Sequence, residues 1–154
     1  MEMEKATIIL QPALRLITSR SRQFPEGNRA AFLDLESRLE TLRGRKFYGL
    51  VWESKGSLDY FAGLVPESSE EESRFRAEGF EVVEIAPGPC ARFKLRDWTS
   101  KTDQIGSIMG ALISEFGHDS SRPQLEFYRS QRELHLLLPV PHESSPLPPN
   151  PRFP

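Results

Sequence analysis

Apolar residues recur along this chain at two spacings, and the two regimes follow one another in the same order twice. Residues 5–18, KATIILQPALRLIT, are β-branched and apolar with an interruption at Pro12, which predicts a strand with a break. In NRAAFLDLESRLETLRG, Phe32, Leu35, Leu39 and Leu42 fall at three- and four-residue steps, so a helix over 28–44 presents them on one face. Asn28 is placed to cap its start, and Gly44 stands where a left-handed residue ends a helix. Two strands follow, 46–53 and 58–65, joined by the turn signal SKGS. The acidic, polar stretch PESSEEESRFRAEG reads as a connection with no buried face of its own.

The pattern then restarts. FEVVEIAPGPCARFKLRD is a strand, a Pro/Gly break and a second strand. TSKTDQIGSIMGALISEFG is a helix, with Ser100 and Asp103 as a capping pair, Ile105, Ile108, Met109, Leu112 and Phe116 as its apolar stripe, and Gly117 as its end. Strands 124–129 and 133–140 close the second half. An offset of about 73 residues carries Phe32 to Ile105, Leu35 to Ile108, Leu39 to Leu112 and Gly44 to Gly117. The chain is a duplicated β-α-β-β unit, with repeat one over about 5–66 and repeat two over about 80–140. The tail 141–154, PHESSPLPPNPRFP, is too rich in proline for regular structure.

This order settles how RKFYGLVWES (45–54) is read. Its aromatics resemble the base-stacking strand of an RNA-recognition motif, but that motif places the strand after a strand, a helix and another strand. Here the strand follows the first helix directly. Phe47 replaces the required glycine, and Leu50 stands where an aromatic belongs. The aromatics are expected to pack the core or line a cavity.

Composition narrows the classes further. Twenty basic against 22 acidic residues give a formal charge of -2, so no global basic field draws the chain to nucleic acid. The single cysteine, Cys90, excludes an internal disulfide and has no ligand partners at zinc spacing. No metal or other cofactor is expected. The apolar run in MEMEKATIIL is short, and no apolar stretch approaches a bilayer span, so a cytoplasmic chain without membrane contact is expected.

Fragments spread over residues 5–140 resemble the GyrI-like small-molecule-binding domains, which also serve as effector-binding domains of drug-sensing regulators. FYGLVWE and LDYFAGLVP are similar to two of that family's strands, GFEVVEIAPGPCARF to its strand–turn–strand, and PQLEFYRSQRELHLLLPV to its closing hairpin. Departures are Cys90, often tyrosine in the family, and His135, where many members place a cation-binding glutamate. The resemblance implies an α+β fold of SHS2 type. Its antiparallel sheet carries both helices on one face and a central concave pocket where the repeats meet. It also implies a domain over 1–140 that stands without a DNA-binding segment, and for some members either hydrolysis of cyclopropane-containing genotoxic compounds or binding of a protein such as gyrase.

Strand alternation assigns faces independently of the family. Leu134, Leu136 and Leu138 are expected under the helices with Leu125 and Phe127, leaving Glu126, Tyr128, Glu133 and His135 on the concave face. A turn at Ser130–Gln131 would set Glu126 opposite His135. In the first hairpin, the SKGS turn sets Ala62 against Gly49 and Tyr60 against Val51, with Tyr60 as an aromatic wall. Trp52 falls on the core face near a strand end, where it could border the cavity.

The candidate ligand-binding residues are therefore Tyr60, Glu126, Tyr128, His135 and Trp52. The reading favoured by these residues is a standalone protein that captures apolar or aromatic drug-like molecules. The alternative is a cyclopropanoid hydrolase with Glu126 as general base and Tyr60 holding the substrate. A protein partner is a third reading, and both monomer and homodimer are left open.

Overall fold

The computed structural model describes residues 6–142. Repeat one comprises β1 (Thr7–Gln11), β2 (Leu14–Arg20), α1 (Asn28–Glu36), β3 (Phe47–Ser54) and β4 (Ser57–Leu64). After α2 (Ser69–Ala77), repeat two comprises β5 (Glu81–Ile85), β6 (Gly88–Arg96), α3 (Ile105–Phe116), β7 (Gln124–Tyr128) and β8 (Glu133–Pro139). All eight strands join one antiparallel sheet in the order β1-β6-β8-β7-β3-β4-β2-β5. Replacing each strand by its counterpart in the other repeat reverses this order and returns it unchanged. The repeats are thus related by a pseudo-two-fold axis between β3 and β7, the expected duplication.

The first strand of each repeat is exchanged. β1 pairs with β6 and β5 with β2, each completing the other half. Pro12 and Pro87 sit between the strands that separate, where their missing N–H removes a ladder bond.

The sheet curls into a half-barrel with an α+β architecture. One face carries the helices in two blocks. α3 packs Ile108, Met109 and Leu112 on Ala91, Phe93, Leu134, Leu136 and Leu138. α1 and α2 pack Ala31, Leu35 and Phe75 on Ile17, Ala62 and Leu64. The inner, concave face carries one apolar cluster running from Leu16 and Ile85 near one end of the sheet through Tyr48, Leu50 and Leu125 to Leu137 and Cys90 near the other. Tyr48 and Phe127 stack across its middle, with ring centroids 4.8 Å apart.

Several local expectations are corrected. α1 stops at Glu36 rather than running to Gly44, and Leu42 is exposed. Arg38 turns back to the Asp34 carbonyl (2.8 Å), stacks on Phe80 and meets Glu78, so polar contacts hold the segment after the helix. Asn28 does not cap α1, whose N-cap is Gly27 without a side-chain bond. Gly44 adopts the expected positive φ of 73°, but in the loop before β3. Short 3-10 turns occupy 98–100 and 102–104, so Ser100 and Asp103 precede α3 instead of capping it; Gly117 does end it.

The acidic connection is a helix with a buried face. Ser68 Oγ accepts the Glu71 N–H (3.1 Å), Glu70, Glu71 and Glu72 fill the positive first turn, and Arg74 and Arg76 the negative last one. Phe75 is fully buried. Ion pairs from Arg45 to Glu71 and from Arg15 to Glu72 (2.6 Å) tie α2 to the sheet. Among the described residues no helix is long and apolar enough to cross a membrane, and no group of acidic, His or Cys side chains could hold a metal. The proline-rich tail lies outside the described residues from 143 onward.

Candidate functional site

The centre of the sheet is built around a missing side chain. β3 and β7 are the central strands, and their register sets Gly49 directly opposite Glu126. On the other side of β3, Gly49 faces Ala62, as the SKGS turn predicts. That turn is a tight one, with Lys55 and Gly56 both at positive φ (51° and 82°). Two adjacent small residues leave a well in the helix-bearing face, and Tyr60 and Glu126 fill it.

The polar cluster inside the well is compact. Tyr60 Oη and Tyr128 Oη each donate to Glu126 Oε1 at 2.7 Å, and the two hydroxyls lie 3.0 Å apart. Tyr60 is 1% exposed and Glu126 7%. Aromatic rings close the rest. Phe24, from the loop before α1, stacks on Tyr60 at 5.3 Å, and Phe32 of α1 meets Tyr60 and Tyr128 edge-on at 6.3 and 5.3 Å. Trp98, just beyond β6, meets Tyr128 at 5.2 Å.

Burial pushes the Glu126 carboxyl above the ordinary carboxylate range, against the two phenol hydrogen bonds that favour its charge. Both tyrosines are pushed up as well, first by burial and then by the neighbouring carboxylate. Among the described residues no Lys, Arg or His pairs with Glu126, and Oε2 accepts no hydrogen bond. Desolvating an ionised carboxylate costs several kcal/mol, and two phenol donors at about 1.5–3 kcal/mol each offset only part of that. When Glu126 is ionised, no cation among the described residues balances it.

Three of the five candidate residues, Tyr60, Glu126 and Tyr128, therefore meet. The other two do not. Glu126 pairs with Leu136, and His135 with Phe127, so the expected Glu126–His135 pair is overturned. The physical reason is the hairpin turn. Ser130 Oγ accepts the N–H groups of both Arg132 and Glu133 at 3.1 Å, which holds a longer turn than two residues and shifts the register by one. Because side chains alternate with period two, that slip moves β7 through the sheet. Glu126 and Tyr128 go under the helices, while Leu125 and Phe127 join the inner face. The β8 faces are as expected.

His135 sits on the inner side, its Nε2 2.7 Å from Glu133 Oε2 and its ring against Phe127. Trp52, expected on the helix-side core face, packs instead into the inner-face cluster with Tyr48 and Leu50, so the first hairpin is inverted as well and Tyr60 lies under α1 and not on the concave side. Cys90 is buried beside Arg122, and burial pushes its thiol up to about 11, which leaves it unreactive. Phe24, Phe32 and Trp98 were not singled out from the sequence. Phe32 carried a signal in the helical stripe, whereas Phe24 and Trp98 lie in irregular segments with no periodicity to mark them.

No family model matches the chain, and no curated protein matches it either. Solved structures share the fold. An integron cassette protein from the mobile metagenome of Vibrio cholerae superposes with a TM-score of 0.64 at 13% identity, over 90% of this chain and 97% of the other. A protein solved bound to tetraphenylphosphonium gives 0.61 at 12% identity, over 90% and 94%. The C-terminal domain of EcmrR gives 0.57 at 12% identity, over 92% and 99%. At these identities the likeness establishes a shared fold, that of a curled α+β domain found in a ligand-bound protein and at the C-terminus of EcmrR.

Proposed function

We propose that this chain is a ligand-binding domain of the GyrI-like type, spanning residues 1–140, and that its ligands are organic cations with aromatic or apolar bodies. The observation that carries the reading is the Glu126 carboxylate, buried with two phenol donors and no internal cation. A bound cation would supply the absent charge, and the rings of Phe24, Phe32, Tyr60, Tyr128 and Trp98 would supply apolar and cation–π contact. Entry requires Phe24 to swing off Tyr60, and Phe24 is the most exposed of the five rings, at 37%. Support from outside the chain comes from the neighbour bound to tetraphenylphosphonium, itself an aromatic cation. His135 and Trp52 have no part in this site.

The test is a titration with tetraphenylphosphonium against triphenylphosphine oxide, its neutral relative, followed by tryptophan emission. The cation should bind at least about tenfold tighter, and Glu126→Gln should remove that preference, as loss of a buried charge contact implies. Equal affinities in the wild type would sink the proposal.

A hydrolytic reading uses the same carboxylate. Its support is the Oε2 atom, which has no protein donor and could take a water within reach of a bound substrate. It requires wild-type turnover of a cyclopropane-bearing substrate that slows roughly 100-fold in Glu126→Gln while binding persists.

A further inference from the structure

A second site lies outside the aromatic well, at the tip of the β7–β8 hairpin. A cavity of about 500 Å³ opens there, lined by Arg96, Asp97, Arg129, Ser130, Arg132 and Glu133. Three arginines thus line one hollow in a chain whose formal charge is -2. Arg129 and Arg132 are exposed, and neither side chain forms an ion pair or hydrogen bond with any described residue. Asp97 and Glu133 face these three arginines, and the Glu133 carboxyl is held below the usual carboxylate range first by its bond to His135 (2.7 Å) and then by Lys94 and Arg96, so Arg129 and Arg132 are the groups left to an incoming anion.

We propose that this cavity binds a small multiply charged oxyanion of the phosphate class, free or carried on a ligand. Guanidinium groups match such oxygens in pairs and with directed hydrogen bonds. The lining has the architecture to present them together. Asp97, at a φ of 53°, donates its N–H to the Arg132 carbonyl, which ties the end of β6 to the hairpin. Ser130 Oγ accepts the N–H groups of Arg132 and Glu133 and fixes the turn between Arg129 and Arg132. Like charges gathered on a braced turn repel one another, and an anion relieves that repulsion. The site does not rest on the cation reading of the aromatic well.

Trp98 makes occupancy measurable. Its Nε1–H donates to the Ser130 carbonyl at 2.9 Å while its ring touches Tyr128. Pyrophosphate titrated into the full chain at low ionic strength, followed by amide resonances and tryptophan emission, should give saturable shifts confined to residues 96–98 and 129–133. Arg129→Ala or Arg132→Ala should each weaken binding roughly tenfold, the loss expected of a charge-assisted hydrogen bond. Arg22→Ala, which removes an exposed arginine from the loop before α1, should change it less than about twofold, as a screened distant charge would. Shifts that never saturate, that sodium chloride reproduces at matched ionic strength, or that Arg22→Ala weakens equally would overturn the site.

Discussion

Gly49 and Glu126 face each other across the two central strands, and the Glu126 carboxylate occupies space that any side chain at 49 would take. A Cβ on Gly49 would overlap Tyr60 Oη and stand 2.5 Å from Glu126 Oε1. The glycine sits at ordinary φ, so its role here is room for the cluster and not backbone freedom.

Gly49→Ala is therefore expected to destabilise the domain by about 1–3 kcal/mol, the usual cost of overpacking a tight core. Neither neighbour can retreat cheaply, since Tyr60 is held by Phe24 and Phe32 and Glu126 by two phenols. Chemical denaturation reads the change. An unshifted midpoint would mean that the well has slack.

The pH dependence of stability has a definite sign at Glu126. Burial raises its pKa above the unfolded value of about 4.5, so the fold prefers the neutral carboxyl. The contribution to stability is full below that unfolded value and is lost as pH rises through the folded one. Glu126→Gln should flatten this limb and be the more stable protein at neutral pH. Bound organic cation acts in the opposite sense, favouring the charged form, so its affinity should rise with pH over the same window. Thermal melts and titrations at several pH values check both.

Phe75 is the one fully buried residue of α2, and it meets Phe80 edge-on at 5.2 Å. Phe75→Ala should cost about 3–5 kcal/mol, as expected for an aromatic removed from a core. Deleting residues 67–78 should therefore unfold the domain instead of being tolerated. Retention of the wild-type melting temperature by the deletion would show that α2 contributes nothing.

A further acid-sensitive point lies at the far end of the sheet. The Arg122 guanidinium fills the space left by Gly88, donating to the Pro89 and Val140 carbonyls at 3.0 and 2.8 Å and to Asp119 at 3.0 Å. Hydrogen bonds from Ser121, then from Arg122, hold the Asp119 carboxyl down at about 2, from 3.8. A lowered pKa gives stability that is present above 3.8 and lost as pH falls toward 2. Asp119→Asn should remove that part of the acid limb, and Gly88→Ala should reproduce the loss by displacing the guanidinium. Acid titrations followed by circular dichroism decide it.

The duplication was legible in the sequence because periodicity is local. Stripes such as Ile105, Ile108 and Leu112, and alternations such as Leu134, Leu136 and Leu138, are fixed by backbone geometry wherever the element lies. The first hairpin register was legible for the same reason, since the Lys55–Gly56 turn chemistry permits one pairing that sets Gly49 beside Ala62 and Tyr60 beside Val51. Tyr60, Glu126 and Tyr128 were also named together. Their face was not. The Ser130 side chain adds a residue to the second turn, and a one-residue slip inverts every side chain of β7, so Glu126 turned away from His135 and toward Gly49. Only the tertiary fold could decide that Phe24, Phe32 and Trp98, distant in sequence, would close over this carboxylate, and that Phe75 would pin a helix onto β2, β4 and the exchanged strand β5. Such contacts follow from how the sheet curls and how β1 and β5 cross between repeats. No local spacing encodes either.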